Sequence, residues 1–84
     1  PESEQELLTE EQRLNEYIMT SLRTAWGLDM ERVSRDWGSD YTQAILEDAQ
    51  RFMEEQKLFQ KEQTLLLTNK GKLYADYIAG ELFV

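Results

Sequence analysis

The chain has 84 residues, 40% of them hydrophobic and 31% charged, which describes one soluble domain with one core and little room for a deep catalytic cleft. It contains no cysteine and no histidine, which excludes disulfides, iron–sulfur ligation, thiol nucleophiles and the usual zinc sites, and removes the commonest general base. The net charge of −8 repels phosphate backbones, so nucleic acid is not an expected partner; no apolar run approaches the ~20 residues that span a bilayer and no secretory signal opens the chain, so a cytoplasmic setting is expected.

Pro1 to Leu8 read as a frayed lead-in from a longer parent chain, and residues 9–84 as the single domain. Thr9-Glu10-Glu11-Gln12 is a capping box that starts a first helix. Leu14, Ile18, Leu22 and Ala25 recur at helical spacing, with Met19 and Trp26 widening the stripe until Gly27 stops it. Asp29 caps a short second helix through Trp37, with Met30, Val33 and Trp37 on one side and Gly38 at its end. Gly27 and Leu28 form the corner between the two.

Asp40-Tyr41-Thr42-Gln43 reads as a further capping box, opening a third helix to about Lys57 with Ile45, Ala49, Phe52 and Met53 on its apolar side. The period then changes. Leu58-Phe59 and Thr64-Leu65-Leu66-Leu67, separated by Lys61-Glu62-Gln63, predict a small hairpin. Thr68-Asn69-Lys70-Gly71 leads into a last helix in which Tyr74, Ile78 and Leu82 line one side, flanked by Leu73 and Tyr77. The fold class is mainly α (α+β): a winged-helix-like domain of three helices, a short β-hairpin wing and a C-terminal helix. Glu47, Asp48, Glu54 and Glu55 outnumber Arg51 and Lys57 on the third helix, so a DNA-reading role is not expected of it.

No catalytic, cofactor-binding or metal residue stands out. Trp26 and Trp37 fall at core or corner spacing, and Tyr41, Tyr74, Tyr77 and Met53 carry no haem-ligand signal beyond their residue types. The acidic pairs Glu10-Glu11, Glu47-Asp48 and Glu54-Glu55 are sequence neighbours, which diverge by ~100° around a helix and build no acid–base dyad. They are solubilising charge.

Asn15-Glu16-Tyr17-Ile18-Met19, Leu22-Arg23-Thr24 and Gly27-Leu28, followed by Phe52-Met53 and Leu67-Thr68-Asn69-Lys70-Gly71, resemble the C-terminal domain of the HemN/HemW family of radical SAM proteins. The resemblance runs from about Thr9 to Val84, and Leu82-Phe83-Val84 reads as a natural C-terminus. It implies a parent resembling an oxygen-independent coproporphyrinogen III oxidase of haem biosynthesis or a related haem chaperone, and the compactness of the domain leans toward the HemW-like branch. That parent carries a barrel with a 4Fe-4S cluster and S-adenosylmethionine. The family's three cluster cysteines have no counterpart here, so the domain by itself is expected to hold no cofactor and to be catalytically silent. The resemblance implies as partner the N-terminal radical SAM domain of the same parent, with porphyrin or haem as a further candidate. Arg23 is the candidate inter-domain contact, suited to a carboxylate of that barrel and equally to a local role as a helix cap or in a surface ion pair. The alternative of another class is a free-standing acidic winged-helix adaptor. An excised domain should expose an apolar patch larger than a monomer's usual few hundred Å².

Overall fold

The structure, a computed structural model, describes residues 9–84, and the lead-in read over residues 1–8 lies outside them. Helix α1 (Glu10–Leu22) starts on the expected box: Thr9 Oγ1 accepts from the Gln12 N–H at 3.0 Å, and Gln12 Oε1 accepts from the Thr9 N–H at 2.9 Å. Two N–H groups that a helix start leaves open are thereby paired. Leu14, Ile18 and Leu22 are buried. The helix stops at Leu22, well before the expected glycine, because a hydroxyl competes for its backbone. Thr24 Oγ1 donates to the Ser21 carbonyl at 2.6 Å and accepts from the Gly27 N–H at 3.1 Å. Trp26 therefore leaves the helical stripe and is 75% exposed, which corrects its placement at core or corner. Gly27 has φ 78, and a Cβ there would stand 2.5 Å from the Leu65 carbonyl oxygen, so this corner needs glycine.

The turn delivers a strand that the sequence reading did not foresee. Strand β1 (Leu28–Asp29) is too short to show a period. Asp29 serves twice, pairing in the sheet and capping helix α2 (Met30–Asp36), where its Oδ1 accepts from the Glu31 and Arg32 N–H groups at 3.0 and 3.4 Å. Helix α2 buries Met30 and Val33. Half-buried Trp37 stacks on Tyr17 with ring centroids 5.8 Å apart, and the Arg32 guanidinium lies 4.9 Å from the Tyr17 centroid.

Helix α3 (Ser39–Glu54) begins one residue before Asp40 and takes Gly38 as its cap, so the expected Asp40 box does not form. The Thr42 hydroxyl lies 2.6 Å from the Ser34 hydroxyl and ties α3 to α2. Asp40 still sits in the first turn, where a carboxylate complements the helix dipole. Ile45, Ala49 and Phe52 are buried, as their spacing predicts. The helix ends at Glu54 and not at Lys57, closed by a Schellman motif in which the Gln56 N–H reaches the Met53 carbonyl at 3.0 Å and the Lys57 N–H reaches that of Phe52 at 2.8 Å. The motif forces Gln56 to φ 63.

Strands β2 (Leu58–Lys61) and β3 (Thr64–Leu67) form the expected hairpin, with Lys61 opposite Thr64 across Glu62 and Gln63. β1 joins the other side of β3, Leu28 opposite Leu65, so the antiparallel sheet runs β1-β3-β2. The single last helix is in fact two, α4 (Asn69–Lys72) and α5 (Ala75–Glu81), broken at Leu73 and Tyr74. The wing fixes α4 and α1 fixes α5, and no one straight helix meets both demands. Ile78, Ala79 and Leu82 are buried, whereas Leu73, Tyr74 and Tyr77 face outward, correcting their expected place on and beside a core stripe. The domain is thus mainly helical α+β, with five helices and a three-stranded sheet among the described residues. No helix among them is long and apolar enough to cross a membrane.

The end of the wing meets α4 at a close approach. Thr68 caps α4, its Oγ1 accepting from the Gly71 N–H at 2.9 Å and donating to the Gln56 carbonyl at 2.6 Å. A Cβ at Gly71 would lie 1.8 Å from the Lys57 carbonyl oxygen. Substituting Gly71→Ala is expected to cost at least about 2 kcal/mol in urea unfolding, because backbone and not a pliable side chain must yield. Gln56→Gly should stabilise by about 0.5–1 kcal/mol in the same measurement, since it relieves a left-handed conformation at a position whose side chain is exposed.

Candidate functional site: an apolar groove beside the wing

The turn after α1, the outer side of the hairpin and the α4–α5 corner enclose an open groove of about 810 Å³. Leu22 to Ala25 form one wall, Phe59, Leu66 and Leu67 a second, and Lys72 to Tyr77 the third. Helix α3, which occupies the place of the DNA-reading helix in a winged-helix arrangement, contributes no residue to it.

Much of the apolar lining is exposed. Leu73 is 81% and Tyr77 57% accessible, and Phe59 and Tyr74 are also exposed. Scattered exposed apolar side chains are ordinary, but these converge on one concavity. Tyr77 packs edge-on against the ring of buried Phe52, at 6.1 Å between centroids, and the Lys57 Nζ lies 4.6 Å from the Tyr74 centroid. Both rings are therefore held from below while another face stays open. Lys57 also pairs with Glu55 at 3.0 Å, and this hydrogen bond holds the Glu55 carboxyl below its ordinary range. The lowered value means that the contribution is present above the ordinary value of 4.5 and is lost as pH falls through the lowered one.

Three charged side chains line the groove: Arg23, Lys72 and Asp76. Arg23 is the C-cap residue of α1, and its guanidinium pairs with the Asp76 carboxylate in the first turn of α5. The side chains are 53% and 76% exposed, so the pair belongs to the class worth about 0–1 kcal/mol. The local reading of Arg23, a surface ion pair, is thus realised within the domain.

Of the other residues weighed from sequence, Tyr41, Trp37 and Met53 lie outside the groove. Tyr41 donates to Glu11 at 3.0 Å, and that hydrogen bond raises its pKa above the ordinary value. Trp37 belongs with Tyr17, and Met53 is half-buried against the core. Tyr74 and Tyr77, read as core-stripe residues, are groove residues. Their signal was present, since Leu73, Tyr74, Tyr77, Ile78 and Leu82 cover a wider arc than one buried helix face needs. The described residues include no group of three or more acids placed to hold a metal ion. A 4Fe-4S cluster does not fit this chain, which has no cysteine to ligate it.

The chain belongs to the HemN C-terminal domain family, whose match covers residues 8–74. This domain is found in HemN/HemW radical SAM proteins. The matched span stops at Tyr74, short of the Val84 to which the resemblance was read, and so does not include α5. Among curated proteins and among solved structures, none matches.

If the exposed groove residues serve contact and not folding, Leu73→Ser should leave stability within about 0.5 kcal/mol of wild type in urea unfolding. Ile45→Ala, in the closed core, should cost about 2–5 kcal/mol.

Proposed function

We propose that this chain is the non-catalytic C-terminal accessory domain of a cytoplasmic radical SAM protein resembling oxygen-independent coproporphyrinogen III oxidase, in either its oxidase or its haem-chaperone branch. The observation that carries the reading is the exposed apolar groove on a domain of this family. It is a concave, partly apolar surface against which a neighbouring domain can pack. The neighbour proposed is the N-terminal barrel of the same parent, which would supply the 4Fe-4S cluster and S-adenosylmethionine that this domain has no means of ligating. Docked there, the groove's aromatic rings and cations would border the parent's porphyrin or haem site.

Hydrogen–deuterium exchange on the 84-residue chain alone and within a full-length radical SAM protein carrying it tests the proposal. Amides of residues 23–26 and 73–77 are expected to exchange at least about tenfold more slowly in the full protein, while α3 is unchanged. Slowing that deepens when haem is added would put the tetrapyrrole at this border. Equal exchange in both settings would sink the docking reading and favour a free-standing adaptor.

A further inference from the structure

The groove's charge is opposite in sign to that of the chain around it. The protein carries a net charge of −8, yet the charged side chains of the groove are two cations, Arg23 and Lys72, against the single anion Asp76. Lys72 makes no ion pair among the described residues. An apolar surface laid over this groove would remove water from a guanidinium that cannot discharge and from an ammonium beside it. One aspartate cannot compensate both. An occupant that is neutral or basic would leave buried, unpaired positive charge, so charge complementarity selects a segment that presents apolar side chains next to a carboxylate.

We infer that the occupant is an acidic, apolar polypeptide segment of the barrel, and that Arg23 is its exchangeable anchor, with Asp76 standing in for the partner's carboxylate until docking occurs. This rests on the docking reading above. Asp76 has its own reason to be where it is, because a carboxylate in the first turn of α5 complements that helix's N-terminus. Its hold on Arg23 is a solvated one and is readily released. The planar fork of the guanidinium can then take a carboxylate through two parallel N–H···O bonds in a site from which the partner excludes water.

The proposal predicts opposite signs for the two halves of one ion pair. Removing Asp76 frees the anchor and tightens docking, whereas removing Arg23 loosens it. A merely local bridge would give both substitutions the same sign. The measurement is the exchange protection of residues 73–77 in the full-length radical SAM protein, divided by that in the free 84-residue chain carrying the same substitution, so that local effects on α5 cancel. Asp76→Asn should raise this ratio about two- to fivefold, and Arg23→Gln should lower it about tenfold. Raising the salt concentration should lower the wild-type ratio and leave that of Arg23→Gln nearly unchanged.

Protection in the wild type combined with equal signs, or with no response to either substitution, overturns the anchor while leaving docking intact. No protection in the wild type sinks docking and the anchor with it. Protection that develops only after haem is added assigns the carboxylates to a tetrapyrrole and overturns the polypeptide occupant.

Discussion

The geometry of this domain depends on one junction, where the backbone of Gln56 and Lys57 meets Thr68 and Gly71. The Lys57 N–H closes α3 on the Phe52 carbonyl at 2.8 Å, and the Lys57 carbonyl accepts from the Thr68 N–H at 3.0 Å, closing the base of the hairpin. The Thr68 hydroxyl joins the Gln56 carbonyl to the first turn of α4. Four elements are therefore set by two short stretches of chain. Gly71 permits the approach, having no Cβ to meet the Lys57 carbonyl. The groove inherits its shape from this arrangement, because the direction of α4 places Lys72 and Leu73 across from Phe59, and Lys57 reaches over the junction to the ring of Tyr74.

Local backbone chemistry was legible in the sequence wherever a side chain has one dominant partner. Thr9 with Gln12 and Asp29 with the start of α2 were readable because a capping oxygen acts within three residues. The core was readable because Ile45, Ala49 and Phe52 keep a helical period. The failures come from hydrogen bonds and close approaches that hydrophobic spacing does not report. Gly38 takes the cap position and puts Asp40 inside the first turn of α3, Thr24 turns the chain before Trp26 through partners three residues away, and a helix whose spacing alone looks continuous breaks at Leu73 and Tyr74. Strand β1 has only two residues and exists because β3 offers an edge, which no local pattern reports. The groove went unread for a related reason: its members come from both ends of the chain and from the wing.

The position of the groove also accounts for the acidity of α3. A winged helix that reads DNA concentrates positive charge on its third helix, whereas here Asp40, Glu47, Asp48 and Glu54 face Arg51 alone along that element. Free of any demand to approach phosphate, α3 is a solvated support whose buried face holds Phe52, and Phe52 in turn backs Tyr77 in the groove. The groove lies on the other side, formed by the turn after α1, the wing and the C-terminal helices. The order of helices and hairpin is winged-helix-like, but the charge of the third helix is opposite to that of a DNA-reading one.

The C-terminal helices that wall the groove depend for their stability on what they touch. Helices α4 and α5 have four and seven residues, below the ~12–15 at which an isolated helix persists in water. Both therefore rely on what they touch. On the inner side, Ile78, Ala79 and Leu82 pack into the core and the Asn15 side chain grips the backbone of Val84, with the Val84 N–H donating to Asn15 Oδ1 at 2.8 Å. On the outer side Leu73, Tyr74 and Tyr77 have no such cover. A chain of this size buries only about 60% of its unfolded surface, which leaves a narrow margin of stability. Any occupant of the groove that binds the folded form alone adds to that margin by mass action. The exposed side chains of this corner are thus the ones that an occupant of the groove would cover.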